Sequence, residues 1–387
     1  MKGAMPKRNT KSASSSPSQF FEKELSGETP PSFPTMEKLY GLATELYTLR
    51  PWHLLNENQL VLVRDSATGE TCYCSVMGRL GEVLAMHAYR GSEGYRLFRQ
   101  IEDGEAISPS EFLAAQHSVY VDFVPMAELD VQDRKALKAL GHPRAAQVGP
   151  MFRAIRPGYH PWFVTEEEAQ TLIECACAML FICSMVSRQG ALNYWDQQDV
   201  YPLLSPIEGS PRKASPPEVS KVRREETWPR YHVELVKAPK PSEKPLSPVP
   251  LSQEQLHQLR DRDHTVGGAI ELDHFQSRMT IGKKNERKAC VAIGMAVDAK
   301  TGMVFPPEVV APGVSAGEAL VNTLMKAIET YRALPQEVRV KSSGFKECLQ
   351  PISEICGFSV EVVRSLPGLE RARSEMIRMM GGGGPFQ

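Results

Sequence analysis

The 387-residue sequence has no run of about 20 consecutive apolar residues, the length that a helix needs to span a bilayer. The N-terminal stretch MKGAMPKRNTKSASSSPSQF also lacks the apolar core of a secretory signal. The formal net charge of -1 provides no overall basic field, which disfavours binding to nucleic acid through many phosphate contacts. We therefore expect a cytoplasmic protein without a membrane partner, for which nucleic acid is an open but unfavoured partner.

Paired metal-binding cysteines are missing as well. The sequence has eight cysteines, but none forms the C-x2-C pairs that are typical of structural zinc sites. Cys72 and Cys74 alternate on a predicted strand, and Cys175, Cys177 and Cys183 share a predicted helix. Because most of them lie in apolar runs, we interpret them as reduced core thiols and predict no metal site and no cofactor.

Composition divides the chain into two domains, for which its length is sufficient. Residues 1–34 are rich in Ser, Pro and Lys and are predicted to be a disordered tail. A proline-rich stretch, 239–250, predicts a linker between an N-terminal domain of residues 35–238 and a C-terminal domain of residues 251–380. A Gly-rich tail, 381–387, follows.

The N-terminal domain is predicted to combine a β-meander with helices. The runs LVLVRD, TCYCSVMG and EVLAMHAYRG are separated by turns, which indicates antiparallel strands. Thr165 and Glu168 form a capping box ahead of a long helix. Residues 60–140 also follow a β-β-β-α-β-α order, so an alternative is that both domains share one architecture, in which Asp65 and Asp122 take corresponding positions.

The C-terminal domain has its strand and helix signals in the order β-β-β-α-β-α-β-α, which resembles a ribonuclease H-like domain. Its first two strands are AIELDHFQSRMTI and ACVAIGMAVD. The third, GMVFPPEVV, contains Pro306 and Pro307, which predicts a position at the edge of the sheet. The predicted fold class is therefore α+β, with an N-terminal β-meander plus helices and a C-terminal ribonuclease H-like domain.

A nuclease of the ribonuclease H type needs carboxylates from the first strand, the end of the fourth strand and a late helix, because they hold two metal ions about 4 Å apart. Glu271 and Asp273 are two residues apart on the first strand and therefore point to the same face. Lys341 and Ser342 stand where the fourth-strand acid is required, whereas Glu370 could supply the helix acid. We favour a protein without catalytic activity; the alternative is a metal-dependent enzyme that uses Glu271, Asp273 and Glu370.

Two segments have compositions that suit recognition. The proline-containing loop RPGYHPW holds Tyr159 and Trp162, a composition that is typical of an interface or a pocket rim. Alternatively, both rings cover the core. The hairpin IGKKNERK brings together cations that suit phosphates or an acidic protein partner, although a solvated turn explains them equally well. These cations are Lys283, Lys284, Arg287 and Lys288.

Several segments resemble an uncharacterised bacterial two-domain family that is known only as domains of unknown function. The N-terminal segments are PWHLLNENQLVLVRD, SVMGRLGEV, AYRGSEGY and MFRAIRPGYHPWFVTEEEAQTL, and the C-terminal ones are IELDHF, LPQEVRV and SLPGLERA. The resemblance covers most of residues 36–380 and implies a two-domain bacterial cytoplasmic protein. The family has no established activity, cofactor or catalytic residues that could be transferred to this sequence. We predict a non-enzymatic binding or regulatory module on a catalytically incomplete ribonuclease H-like scaffold; the alternative is a divergent metal-dependent nuclease or phosphoryl-transfer enzyme.

Overall fold

The computed structural model describes residues 17–104, 115–142, 147–190, 199–207, 231–238, 265–310 and 314–380, and the single positions 112, 195, 249, 251, 252 and 259. The chain divides into two compact units. The first comprises the residues up to 241 apart from 108–114, together with Gly282–Arg287, and the second comprises the remainder. Both units contain a β-sheet and helices, which confirms the α+β fold class.

The prediction of a disordered tail over residues 1–34 is wrong for residues 17–34. Residues 17–34 include a short 3-10 helix, Pro17–Phe20, and the first residues of a long helix. Phe21 and Leu25 are 4% and 1% exposed within the core. They are four residues apart and so reach the core from one side of the chain. The predicted linker, 239–250, lies outside the described residues except for Val249, and so does the Gly-rich tail, 381–387.

The first unit is built on a seven-stranded sheet. Its strands are Val61–Arg64 (β1), Thr71–Met77 (β2), Ala85–Arg90 (β3), Ser118–Pro125 (β4), Val148–Ile155 (β5), Val200–Pro206 (β6) and Tyr231–Lys237 (β7). Strands β1 to β5 form an antiparallel meander, β6 pairs parallel to β1, and β7 pairs antiparallel to β6. Because β4 pairs with β3 and not with β1, Asp65 and Asp122 do not take the positions that a shared architecture of the two units would require.

The described helices of this unit are Phe33–Leu49 (α1), Gly91–Glu102 (α2), Val131–Ala139 (α3) and Glu166–Gln189 (α4). Helices α1 and α4 contribute to the main core with one face of the sheet, and α2 packs on Tyr73 and Tyr89 of the other face. The capping box of Thr165 and Glu168 is present at the start of α4. By length and composition α4 could cross a membrane, contrary to our expectation, but 72% of its most apolar window is buried inside the structure.

The second unit is built on a five-stranded sheet in the order β11-β10-β9-β13-β14. Its elements are Thr265–Val266 (β8), Ala269–Ile281 (β9), Ala289–Asp298 (β10), Glu308–Val310 (β11), Ala316–Tyr331 (α5), Ala333–Leu334 (β12), Glu337–Val340 (β13), Ser343–Cys356 (α6), Ser359–Val362 (β14) and Pro367–Met380 (α7). Strand β10 pairs antiparallel with β9 and β11, whereas β13 pairs parallel with β9 and β14. Helices α5 and α6 share a core with one face of this sheet, and α7 covers the other face.

Candidate functional site

The predicted carboxylates of the first strand lie on the face of β9 that α7 covers. Glu271 is 3% exposed, and its Oε2 accepts a hydrogen bond of 2.8 Å from the backbone N–H of Leu369 in the first turn of α7. Asp273 is 9% exposed, and its Oδ1 accepts a hydrogen bond of 2.9 Å from the N–H of His274. Glu271 therefore satisfies a helix N-terminal donor, which is a structural use of its carboxylate oxygen.

The third predicted carboxylate makes an ion pair with the cation at the end of β13. Lys341 Nζ lies 2.8 Å from Glu370 Oε1, and this contact holds the pKa of Glu370 below its ordinary value. Both side chains are partly exposed. Within the described ranges, no group of three or more His, Cys, Asp and Glu side chains could hold a metal ion. Glu271, Asp273 and Glu370 are thus not brought together into a metal centre.

The aromatic loop is an ordered extension of β5. The backbone of Trp162 pairs with that of Ala154 through hydrogen bonds of 2.8 and 3.0 Å, and its indole Nε1 donates to the carbonyl of Glu24 at 2.7 Å. The Trp162 ring packs edge-on against Phe163, next to the core. Tyr159 is half-buried. These contacts favour the interpretation that Trp162 covers the core, and a binding role for Tyr159 and Trp162 stays a prediction.

The four cations of the predicted basic hairpin do not share one environment. Lys283, Lys284 and Lys288 are exposed, whereas the Arg287 side chain is 8% exposed and lies 3.3 Å from Glu168 Oε2 within the first unit. Burial opposes the ionisation of Glu168, but neighbouring guanidinium groups outweigh it and hold its pKa below the ordinary value. The hairpin therefore offers three exposed lysines, and Arg287 takes part in a buried ion pair.

The sheet of the first unit also brings together polar residues that are distant in the sequence. His87 Nε2 on β3 lies 3.3 Å from Asp122 Oδ1 on β4, and the His87 ring stacks on Tyr120 with a centroid distance of 4.4 Å. Asp65 accepts hydrogen bonds from two backbone N–H groups and from the Thr171 hydroxyl. Asp122 thus contacts a neighbouring strand, and Asp65 stabilises a turn.

A polar cleft of about 400 Å³ lies at the start of α4. Arg90 Nε is buried without a hydrogen-bond partner among the described residues, and Arg90 Nη2 lies 3.5 Å from Asp65. Two arginines and three glutamates line this cleft together, so its charges offset one another and select neither an anion nor a cation. The lining residues are Glu28, Thr29, Arg90, Arg156, Thr165, Glu167 and Glu168.

A larger cavity of about 610 Å³ forms a groove between α1 and α3, which we call the α1–α3 groove. Its walls are mostly apolar, and its charged lining residues are Arg134 and Lys138 on α3. Residues from four separate segments line it: Ala43, Thr44, Tyr47, Phe123, Met126, Arg134, Leu137, Lys138, His142, Gln147, Val148, Gly149 and Pro150. The sequence interpretation missed this groove; its one local signal is the spacing of Arg134 and Lys138 one helical turn apart, beside Leu137.

Comparison with known families supports the two-part organisation. Residues 37–201 match the family model of a domain of unknown function, DUF7309, and residues 255–377 match that of a second domain of unknown function, DUF6930. No protein with a curated description matches the chain. The chain thus contains regions similar to two domains of unknown function, which is consistent with an uncharacterised two-domain family.

Proposed function

We propose that this protein is a non-enzymatic binding or regulatory module of the bacterial cytoplasm, with a ribonuclease H-like second unit that lacks a catalytic metal cage. The strand order of the second unit supports the fold part of this proposal. Its third strand, β11, lies at the edge beside the second strand, β10, as a ribonuclease H-like order requires. A fold hosts many functions, so the functional part rests on side chains.

The observation that carries the proposal is the ion pair of Lys341 and Glu370, with Nζ and Oε1 2.8 Å apart. A two-metal centre concentrates carboxylates around its cations. In this protein, Lys341 directly follows β13, which is the fourth strand of the five-stranded sheet in chain order. Its ammonium group pairs with the carboxylate of Glu370 on α7. The first-strand acid Glu271 accepts a hydrogen bond from the N–H of Leu369. These uses of the three groups favour a scaffold over a nuclease.

A binding role is supported by the α1–α3 groove. Its volume of about 610 Å³ falls in the range of ligand pockets, about 300–1,000 Å³. Its lining combines apolar walls with a few polar groups, as ligand pockets commonly do.

Nuclease assays with the full chain test the proposal. We expect no cleavage of single-stranded DNA, duplex DNA, RNA or an RNA–DNA hybrid in Mg²⁺ or Mn²⁺ above the level of an Asp273→Asn variant prepared in parallel. Glu361→Gln, which changes an exposed acid on β14, controls for contaminating nuclease. Manganese-dependent cleavage that disappears in Asp273→Asn and persists in Glu361→Gln would favour the enzyme and refute the proposal.

A further inference from the structure

We propose that the α1–α3 groove binds an amphipathic organic acid, in which an apolar chain ends in one carboxylate. The inference rests on the proposed function, because it names the ligand class of a binding module. It concerns only residues of the first unit.

The walls of the groove suit an apolar chain. Tyr47 on α1 and Phe123 on β4 lie with their ring centroids 5.2 Å apart, and Leu137 on α3 faces the same cavity. Phe123 and Leu137 are 7% and 3% exposed, whereas Tyr47 is 38% exposed. The apolar surface therefore extends from the core to the rim. A chain that covers it removes this surface from water, which favours binding.

The positive charges of the groove favour a carboxylate as the head group of the ligand. Arg134 and Lys138 are four residues apart on α3 and so lie on one side of the helix. None of the described residues that line the groove is acidic. Arg134 donates from Nη1 to the carbonyls of Ala127 and Leu129, which fixes the direction of its guanidinium group. In the described part of the chain, no ion pair engages Lys138. A carboxylate at this end of the groove would meet two cations.

His142 contributes polarity without a full charge at neutral pH. Burial lowers its pKa below the ordinary value of 6.5, and its ring lies 5.8 Å from that of Tyr40. The neutral imidazole adds a hydrogen-bonding group to the lining but no charge. The groove therefore has an apolar body with positive charge from α3, which is complementary to a carboxylate on an apolar chain.

Isothermal titration calorimetry with sodium dodecanoate, below its aggregation concentration, tests the ligand class. Dodecanol and dodecylammonium serve as neutral and cationic probes with the same chain. We expect dodecanoate to bind with one site per chain, and dodecylammonium to bind at least about tenfold more weakly because it meets like charges. The affinity for dodecanoate should fall as salt is raised, since the cations lie near the surface.

Two matched pairs of variants locate the site. Thr44→Phe places a ring in the groove, whereas Thr48→Phe makes the same change one turn later on α1, outside the lining. Both threonines are exposed and donate to the carbonyl four residues earlier, so each pair member loses the same bond. Lys138→Glu reverses a lining charge, and Lys135→Glu reverses an exposed charge outside the lining.

We expect Thr44→Phe to abolish dodecanoate binding and Thr48→Phe to retain it. Lys138→Glu should weaken binding at least about tenfold relative to Lys135→Glu, because like charges then meet. The charge pair keeps the test decisive if the ring at position 44 disturbs α1.

Several results would overturn the proposal. Dodecylammonium or dodecanol that binds as tightly as dodecanoate refutes the choice of a carboxylate, and equal affinities within both variant pairs refute the site. A dimer that Thr44→Phe converts into a monomer shows that a second copy covers the groove. Absence of dodecanoate binding without nuclease activity rejects this inference alone, whereas metal-dependent cleavage rejects the proposed function.

Discussion

Replacement of Glu271 distinguishes between two roles of this residue, that of a helix cap and that of a metal ligand. Its Oε2 accepts a buried hydrogen bond of 2.8 Å from the N–H of Leu369. Glu271→Gln keeps an oxygen that can accept this bond, whereas Glu271→Ala removes it and leaves the N–H group buried without its acceptor. If Glu271 acts as a helix cap, the two variants should therefore differ in stability.

The expected decrease in the free energy of unfolding follows from the loss of this hydrogen bond. Loss of a helix cap costs about 1 kcal/mol, and a buried donor left without a partner costs about 1–3 kcal/mol. We expect Glu271→Ala to lower the free energy of unfolding of the second unit by about 2 kcal/mol, and Glu271→Gln by less than about 1 kcal/mol. For a domain of this size, about 2 kcal/mol corresponds to a decrease in Tm of roughly 6–10 °C.

Two measurements check this expectation. Urea denaturation of the full chain gives the loss of stability, and hydrogen exchange of the peptide that covers Pro367–Met380 reports the opening of α7. Glu361→Ala, an exposed acid on β14, is the control and should change stability by no more than about 0.5 kcal/mol.

The cap interpretation fails in either of two cases. If Glu271→Gln is as unstable as Glu271→Ala, the negative charge itself is required. If about 10 mM Mg²⁺ raises the unfolding temperature of the native protein but not that of Glu271→Gln, the carboxylate binds the metal, since a ligand that binds only the folded state stabilises it.

Three further expectations concern the first unit and the cysteines. Asp133→Asn should cost about 3 kcal/mol, because it breaks a buried ion pair with Arg153, whereas Asp130→Asn, which removes an exposed partner of the same arginine, should cost less than about 1 kcal/mol; urea denaturation of both compares them. The lowered pKa of Glu168 contributes stability that is complete above pH 4.5 and is lost as the pH falls through its folded-state value, so Glu168→Gln should flatten the acid limb of a plot of urea midpoint against pH. Burial raises the pKa of Cys356 to about 11, and the other seven thiols are buried, so a thiol reagent at pH 8 should modify at most Cys356 before unfolding, as read by mass spectrometry.

Local sequence patterns predict most of the helices and strands without reference to tertiary contacts. The capping box of Thr165 and Glu168 marks the start of α4, and the Ser315 side chain caps the start of α5. The β-rich runs with intervening turns became the antiparallel strands β1 to β3. These features depend on residues within one turn or one hairpin, which is why the sequence alone predicts them.

The same local reasoning failed where a few apolar residues stand in a polar segment. Residues 17–34 have the composition of a tail, yet Phe21 and Leu25 reach the core and Glu28 lies in an ion pair with Arg156. The average composition of a segment does not predict the burial of two individual side chains, because that burial depends on a surface that other segments provide.

The sequence by itself determined an α+β chain of two parts, the missing acid at Lys341 and the single-face placement of Glu271 and Asp273. Only the tertiary structure decided that Lys341 pairs with Glu370 and that Tyr47 and Phe123 line one groove with the cations of α3. The physical reason is the distance along the chain over which each interaction acts. Periodicity and capping act over a few residues, whereas a site forms where packing brings distant segments within a few ångströms of one another.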